Sequence, residues 1–290
     1  MSNRTVLVTG ATGFIGRHVV KALLARGFAV RAVARDADKA RSMPWYGDAA
    51  VEFVAADIHA AATDVPALSE GVAALMHLAW PGLPNYAGLF HFEVNLPADY
   101  AFIKQVVRSG VSQVLVTGTC FEYGLQSGPL SESTLAQPVN PYGLAKNTLR
   151  QFLEALSRTE AFTLQWARLF YLHGEGQNPN SLLAALERAI QAGDTQFDMS
   201  PGDQLRDYLA VEDAAACLVT ALEHPQFAGV FNCCSGRPVS VRALVEDYLQ
   251  ARGAKISLNL GHYGYSAHEP MAFWGTRDRL QQLLGGSDGA

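Results

Sequence analysis

Two side chains with complementary proton chemistry, Tyr142 and Lys146, stand four residues apart in Asn140-Pro141-Tyr142-Gly143-Leu144-Ala145-Lys146. That spacing puts both on one helix face. A tyrosine hydroxyl titrates near pH ~10, and a lysine charge beside it stabilises the phenolate and lowers that value towards neutrality. The chemistry expected of the pair is proton transfer to or from an oxygen atom. Taken alone, the same spacing also arises in ordinary helices that carry a half-exposed tyrosine and a solvated lysine.

A second constellation lies near the start. Residues 5–20 read Thr-Val-Leu-Val-Thr-Gly-Ala-Thr-Gly-Phe-Ile-Gly-Arg-His-Val-Val: a β-branched apolar run, three glycines, then a helical pattern. At Gly10, Gly13 and Gly16 the missing Cβ atoms permit a tight turn, close approach of backbone to a pyrophosphate, and packing of the helix on the strand. With Thr12, Phe14 and Ile15 these glycines form the expected phosphate turn of a dinucleotide site, because they sit between a strand and a helix.

Both constellations need a scaffold. Apolar strand runs at 5–9, 29–34, 51–55, 74–79 and 113–118 alternate with helical patterns near 14–26, 96–109 and 141–157. Such alternation specifies an α/β fold with a doubly wound parallel Rossmann sheet. From about residue 172 the pattern loosens into a loop at 174–180, a helix at 180–192 and Gly/Pro-rich stretches near 201 and 261. The expected division is a dinucleotide-binding domain over 1–171, with later strands returning to its sheet. A smaller C-terminal substrate-binding lobe over 172–290 ends in a loose tail from Gly285.

At 290 residues and 49% hydrophobic the chain can bury a large core. A net charge of -5 gives no reason to expect nucleic acid or a membrane surface. No apolar stretch is long enough to span a bilayer, and Met-Ser-Asn-Arg-Thr leads straight into a strand rather than a signal peptide, so a cytoplasmic protein is expected. Cys120, Cys217, Cys233 and Cys234 have neither metal-ligand nor disulfide-framework spacing, so reduced thiols and no metal are expected.

The glycine fingerprint followed by YxxxK resembles the extended short-chain dehydrogenase/reductase family of the NAD-dependent epimerase/dehydratase type. Further matches are Ala56-Asp57-Ile58, His77-Leu78-Ala79, Thr117-Gly118-Thr119-Cys120-Phe121-Glu122-Tyr123-Gly124, Ala167-Arg168-Leu169-Phe170-Tyr171-Leu172-His173-Gly174, Arg206-Asp207-Tyr208 and Phe231-Asn232-Cys233-Cys234-Ser235-Gly236. The resemblance implies a catalytic set of Tyr142, Lys146 and Thr119, with Lys146 also on the nicotinamide ribose. It places Asp57 on the adenine amino group, Ile58 on the ring, and Leu78 and Ala79 along the cofactor. At the end of the second strand it aligns Ala34 where NAD sites carry a carboxylate. Arg35 next to it could hold a 2′-phosphate or stack on adenine, while Asp36 could still reach the ribose. NADP(H) is therefore preferred, with NAD(H) open.

After Thr119 the family's 4,6-dehydratases carry an acidic pair, whereas this chain has Cys120-Phe121; its Glu122-Tyr123-Gly124 resembles the 4-keto-6-deoxyhexose reductases. The resemblance thus implies reduction of the C4 ketone of a nucleoside-diphosphate sugar, with a C4 epimerase holding NAD tightly, and a non-catalytic NADP sensor, as alternatives. On the substrate side it points to Thr119, Cys120, Asn95, Tyr171, Asn180 and Arg206, with Gln177 and Asn178 as further polar loop residues. Arg206 would meet the diphosphate unless it pairs with Asp207 or Glu212. Two positions depart from the family pattern: Tyr171 stands where epimerases have Asn, and the second phosphate-binding arginine shortly before Pro270 is absent. A homodimer through the Tyr142 helix is implied, although Leu144, Leu149, Phe152 and Leu153 fit an intramolecular core equally well.

Overall fold

The computed structural model describes residues 4–265 and 269–285; beyond Gly285 the expected tail lies outside the described residues. The first half alternates as β1 (Thr5–Thr9), α1 (Phe14–Ala25), β2 (Ala29–Ala34), α2 (Ala37–Arg41), β3 (Val51–Ala55), α3 (Val65–Ser69), β4 (Val72–His77), α4 (Leu96–Arg108) and β5 (Gln113–Thr119). Next come β6 (Gly128–Leu130), α5 (Pro141–Leu156), β7 (Thr163–Leu169) and β8 (Tyr171–His173). The chain continues through α6 (Leu182–Ala192), β9 (Gln196–Met199), β10 (Leu205–Ala210), α7 (Val211–Glu223) and β11 (Gly229–Cys233). It closes with β12 (Pro238–Ser240), α8 (Val241–Arg252), β13 (Ser257–Leu260), β14 (Phe273–Gly275) and α9 (Asp278–Gly285).

Seven strands form one parallel sheet in the order β11-β7-β5-β4-β1-β2-β3. Consecutive residues such as Val6, Leu7 and Val8 are all buried, as parallel strands covered on both faces require. Helices α1, α7 and α9 seal one face through Val19, Leu23, Leu218 and Leu280, and α3, α4 and α5 the other through Leu68, Ile103, Leu149 and Leu153. The chain winds outward from β1 to β3, then restarts at β4 on the other side. The carboxyl ends of β1 and β4 thus flank the switch point where such sheets bind ligands. β4 ends at His77, not at residue 79, because its register with β1 pairs Thr9 with His77; Leu78 and Ala79 leave the ladder and line the crevice.

The later elements build a smaller body over this edge. Leu183 and Leu186 of α6, Met199 of β9, and Val241, Val245 and Leu249 of α8 share a separate apolar core. β14 pairs with β6, which draws the chain after residue 269 against the segment following β5. Among the described residues, no helix is long and apolar enough to cross a membrane.

Candidate active site

The glycine turn is fixed by steric exclusion. Gly10 has φ +68°, and a Cβ there would lie 2.9 Å from the Ala79 backbone nitrogen; a Cβ on Gly16 would lie 2.1 Å from the Gly10 carbonyl oxygen. Gly13 stands at the start of α1 without a side-chain cap, and the first turn of the helix carries no acidic residue. Free N–H groups beside bare backbone fit a pyrophosphate. Thr12, Phe14 and Ile15 follow this turn half-buried, Ile15 against the core.

A buried polar chain positions the opposite wall. The Thr9 hydroxyl accepts from the Leu78 and Ala79 N–H groups at 3.2 and 3.3 Å, and lies 3.0 Å from His77 Nδ1. His77 Nε2 stands 3.3 Å from the Asp99 carboxylate, which also takes His59 Nε2 at 2.7 Å. The bond to Asp99 raises the His59 pKa above its ordinary value. After β3, Asp57 is exposed, its carboxylate accepting the His59 N–H at 3.1 Å, while Ile58 packs on the core. Arg35 is exposed just past β2, and Asp36 caps α2 by accepting the Lys39 N–H at 2.9 Å.

Helix α5 carries Tyr142 and Lys146. Asn140 caps it through the Gly143 N–H at 2.8 Å with Pro141 at its first position. Gly143 passes so close to the turn after β5 that a Cβ would lie 2.6 Å from the Phe121 carbonyl. Lys146, 1% exposed, donates to the Thr117 carbonyl at 2.8 Å and lies over the Trp80 ring at 4.0 Å. Burial lowers its pKa to about 8, against the raising influence of Asp99 and Glu122. Thr119 begins the turn Cys120–Tyr123 in a capping box: its hydroxyl accepts from the Phe121 N–H at 3.2 Å, and Glu122 accepts from the Thr119 N–H at 2.9 Å. Glu122, fully buried, is further held by Trp166 Nε1 at 2.9 Å and Arg168 Nε at 2.8 Å.

One expectation reverses here. Burial pushes the Tyr142 phenol up rather than down; the neighbouring Thr119 side chain is the largest opposing influence, and Lys146 is directed at Thr117 and Trp80 instead. Enclosure explains it: Trp80, Tyr86, His91 and Phe121 ring Tyr142 with centroids 5.3 to 6.3 Å away, and the Tyr142 N–H donates to the Tyr86 carbonyl. His91 latches that loop, accepting from Trp80 Nε1 at 3.0 Å and donating to the Asn85 carbonyl at 2.7 Å. Asn95 donates to the Pro81 carbonyl at 2.9 Å, so its amide braces the same loop and is already taken up by the protein. Two open clefts of about 450 and 500 Å³ lie elsewhere, beside β3 and between the 173–179 loop and helices α6 and α8.

On the substrate side, Arg206 pairs with neither Asp207 nor Glu212. Its guanidinium, 2% exposed, bonds Glu269 Oε2 at 2.9 Å and the Leu205 carbonyl at 2.9 Å. Asp207 instead holds the 235–236 turn through the Ser235 and Gly236 N–H groups. The Tyr171 hydroxyl donates to Glu269 at 3.2 Å, and Phe273 lies under Arg206. Cys120 is buried, its thiol pushed up to about 12 by burial and by the charge of Glu269. Asn180 is exposed on the 174–180 loop, its N–H held by the Asn178 side chain at 2.8 Å; Gln177 is half-buried there. Sequence reasoning missed Trp80, Tyr86, His91 and Glu269. Glu269 alone had a local signal, since it directly precedes Pro270 where a cation was expected. Among the described residues, no cluster of His, Cys, Asp and Glu could hold a metal.

Known proteins resemble this chain along most of its length. A family model described as NAD dependent epimerase/dehydratase family matches residues 6–234. The chain is 31% identical over 274 residues to the dTDP-6-deoxy-L-talose 4-dehydrogenase (NAD(+)) of Aggregatibacter actinomycetemcomitans, covering 94% of this chain and 99% of that protein. It is 28% identical to the UDP-glucose 4-epimerase of Azospirillum brasilense, over 97% of this chain and 86% of that one. Among solved structures, MoeE5 in complex with UDP-glucuronic acid and NAD matches with a TM-score of 0.84 at 26% identity, over 97% of this chain and 92% of that chain.

Proposed function

This chain belongs to the NAD dependent epimerase/dehydratase family, and from that premise we propose that it reduces the C4 ketone of a nucleoside-diphosphate 4-keto-6-deoxyhexose in deoxysugar precursor synthesis. In reverse the reaction oxidises the C4 alcohol. The observation that carries this reading is the enclosed phenol of Tyr142, beside which Cys120 and Glu122 cannot serve as an acid–base pair. The Cys120 thiol, pushed up to about 12, stays protonated, and Glu122 is consumed by Thr119, Trp166 and Arg168. Loss of water from a sugar needs an acid and a base besides the redox centre, whereas ketone reduction needs one proton donor. Similarity to a 4-dehydrogenase along nearly its whole length supports the same carbon and the same oxidation change.

The glycine turn and the amino end of α1 would hold the pyrophosphate of a nicotinamide cofactor, which when bound would supply or take up the hydride. Lys146 spends one N–H on the Thr117 carbonyl and keeps two for ribose hydroxyls. Thr119 orients the ketone oxygen, and Tyr142 protonates it as negative charge develops. Trp80, Tyr86, His91 and Phe121 exclude water, which strengthens every polar contact inside.

At the end of β2 Ala34 is buried where NAD sites carry a carboxylate, and the exposed Asp36 spends one oxygen on the α2 cap; exposed Arg35 supports NADP(H) as the preferred cofactor. A homodimer through α5 fits Leu144 and Phe152, which are 46% and 44% exposed while Leu149 and Leu153 are buried in the core. A C4 epimerase is the second reading, favoured by the epimerase relatives.

The test is to follow reduced-nicotinamide absorbance with a panel of 4-keto-6-deoxyhexose nucleotides, using Tyr142→Phe as control. Stoichiometric oxidation lost in the variant supports the reductase. No oxidation with any member, together with NAD released on denaturation, transfers the assignment to the epimerase.

A further inference from the structure

We infer that Glu269 is a built-in counter-ion of the substrate's anion site, so that a diphosphate reaches Arg206 only by displacing Glu269; the inference rests on the reading of Arg206 as the diphosphate-binding residue. Arg206 is 2% exposed and Glu269 is 30% exposed in their ion pair, so the carboxylate is the member with room to leave. The guanidinium has other anchors. Its Nη1 donates to the Leu205 carbonyl at 2.9 Å and reaches the Met271 carbonyl at 3.4 Å, and Phe273 lies under it at 4.8 Å. Releasing Glu269 therefore leaves Arg206 in place with Nη2 open.

The exchange frees a second donor. Tyr171 gives its hydroxyl to the same Glu269 oxygen, and burial pushes that phenol well up, so it remains a neutral donor for an incoming phosphate oxygen. Tyr208, 5.5 Å from Tyr171 between ring centroids, is also pushed up by burial, to about 12. With Glu269 in place an approaching anion meets a neutral ion pair; with Glu269 withdrawn it meets a desolvated guanidinium and a phenol. Binding here is an exchange of anions, and its strength is the difference between two charge-assisted bonds. A multiply charged diphosphate displaces one carboxylate more readily than a monophosphate does, so the pair selects for charge.

The experiment is calorimetric titration of cofactor-loaded protein with dTDP, UDP and dTMP, comparing the natural chain with Glu269→Gln and Arg206→Met. In Glu269→Gln the diphosphates should bind about tenfold more tightly, the equivalent of one charge-assisted hydrogen bond, and the preference for dTDP over dTMP should shrink. Unchanged or weaker diphosphate binding in Glu269→Gln, with binding still lost in Arg206→Met, overturns the counter-ion and leaves the anion site standing. Diphosphate binding unaffected in Arg206→Met overturns the reading of that arginine itself. Glu269→Ala, which cannot donate or accept there, should tighten diphosphate binding as well; tightening confined to the Gln variant would point to a new hydrogen bond and overturn the displacement.

Discussion

The glycine turn after β1 and the side-chain cluster around Arg206 are built in opposite ways. The turn is backbone from one short stretch, where Gly10, Gly13 and Gly16 leave no room for a side chain. The other is side chains from distant stretches: Arg206 and Glu269 cancel each other's charge in one ion pair, and burial keeps the phenols of Tyr86 and Tyr171 and the thiol of Cys120 neutral. Backbone contacts cannot be retuned without moving main-chain atoms. Side chains can be exchanged with the main chain left in place, provided that a buried charge such as Arg206 keeps a counter-ion.

Tyr142 stands at the seam, and its substitution should have the largest effect. Tyr142→Phe should lower kcat roughly 10²- to 10⁴-fold, the range of a positioned proton donor, while cofactor affinity in a fluorescence titration stays close to that of the natural chain. A comparable loss of cofactor affinity would mean that the phenol belongs to the turn's side of the comparison.

Gly16→Ala should come next. Its Cβ would lie 2.1 Å from a carbonyl oxygen and 2.8 Å from the Ala11 Cα, both main-chain atoms. Overpacking of this kind costs about 1–3 kcal/mol, read from chemical denaturation, and cofactor affinity should fall with it. The loss should be the same for every sugar nucleotide; sugar-dependent loss would break the separation of the two regions.

Lys146 links the regions through pH. Its folded-state pKa of about 8 lies below its ordinary 10.5, so above pH 8 the folded site loses its cation and kcat/KM should decline. Stability moves the other way. Between about 8 and 10.5 the unfolded chain binds the proton that the fold has released, so stability rises with pH through that window. Lys146→Met should flatten both trends, as paired pH profiles of rate and thermal denaturation would show.

What was legible in the sequence divides along the same line. The strands β1, β2 and β3 end where their apolar runs end, and the turn and Tyr142–Lys146 pair announce themselves, because all depend on neighbours within a few residues. The downward shift expected for Tyr142 failed because solvent exclusion by Trp80, His91 and Phe121 is a tertiary effect with no periodic signature in a Gly- and Pro-rich loop. Arg206 was singled out by its motif, but its partner was sought nearby in Asp207 and Glu212. The actual partner arrives through the late segment that pairs β14 with β6.

Arg35 gives the smallest and most selective effect. It sits at the turn's outer end, exposed, and the neighbouring carboxylate of Asp36 is engaged with the Lys39 N–H. An exposed ion pair is worth up to about 1 kcal/mol, so Arg35→Ala should raise KM for NADPH roughly fivefold and leave KM for NADH almost unchanged, in assays at matched ionic strength. Added salt should erase part of the difference, because an exposed pair is screened. Equal losses with both cofactors would instead place Arg35 over the adenine ring, which they share. The 2′-phosphate would then have no charged partner at this end of β2, and the preference for NADP(H) would fall while the backbone turn and the reaction assigned to Tyr142 stayed as they are.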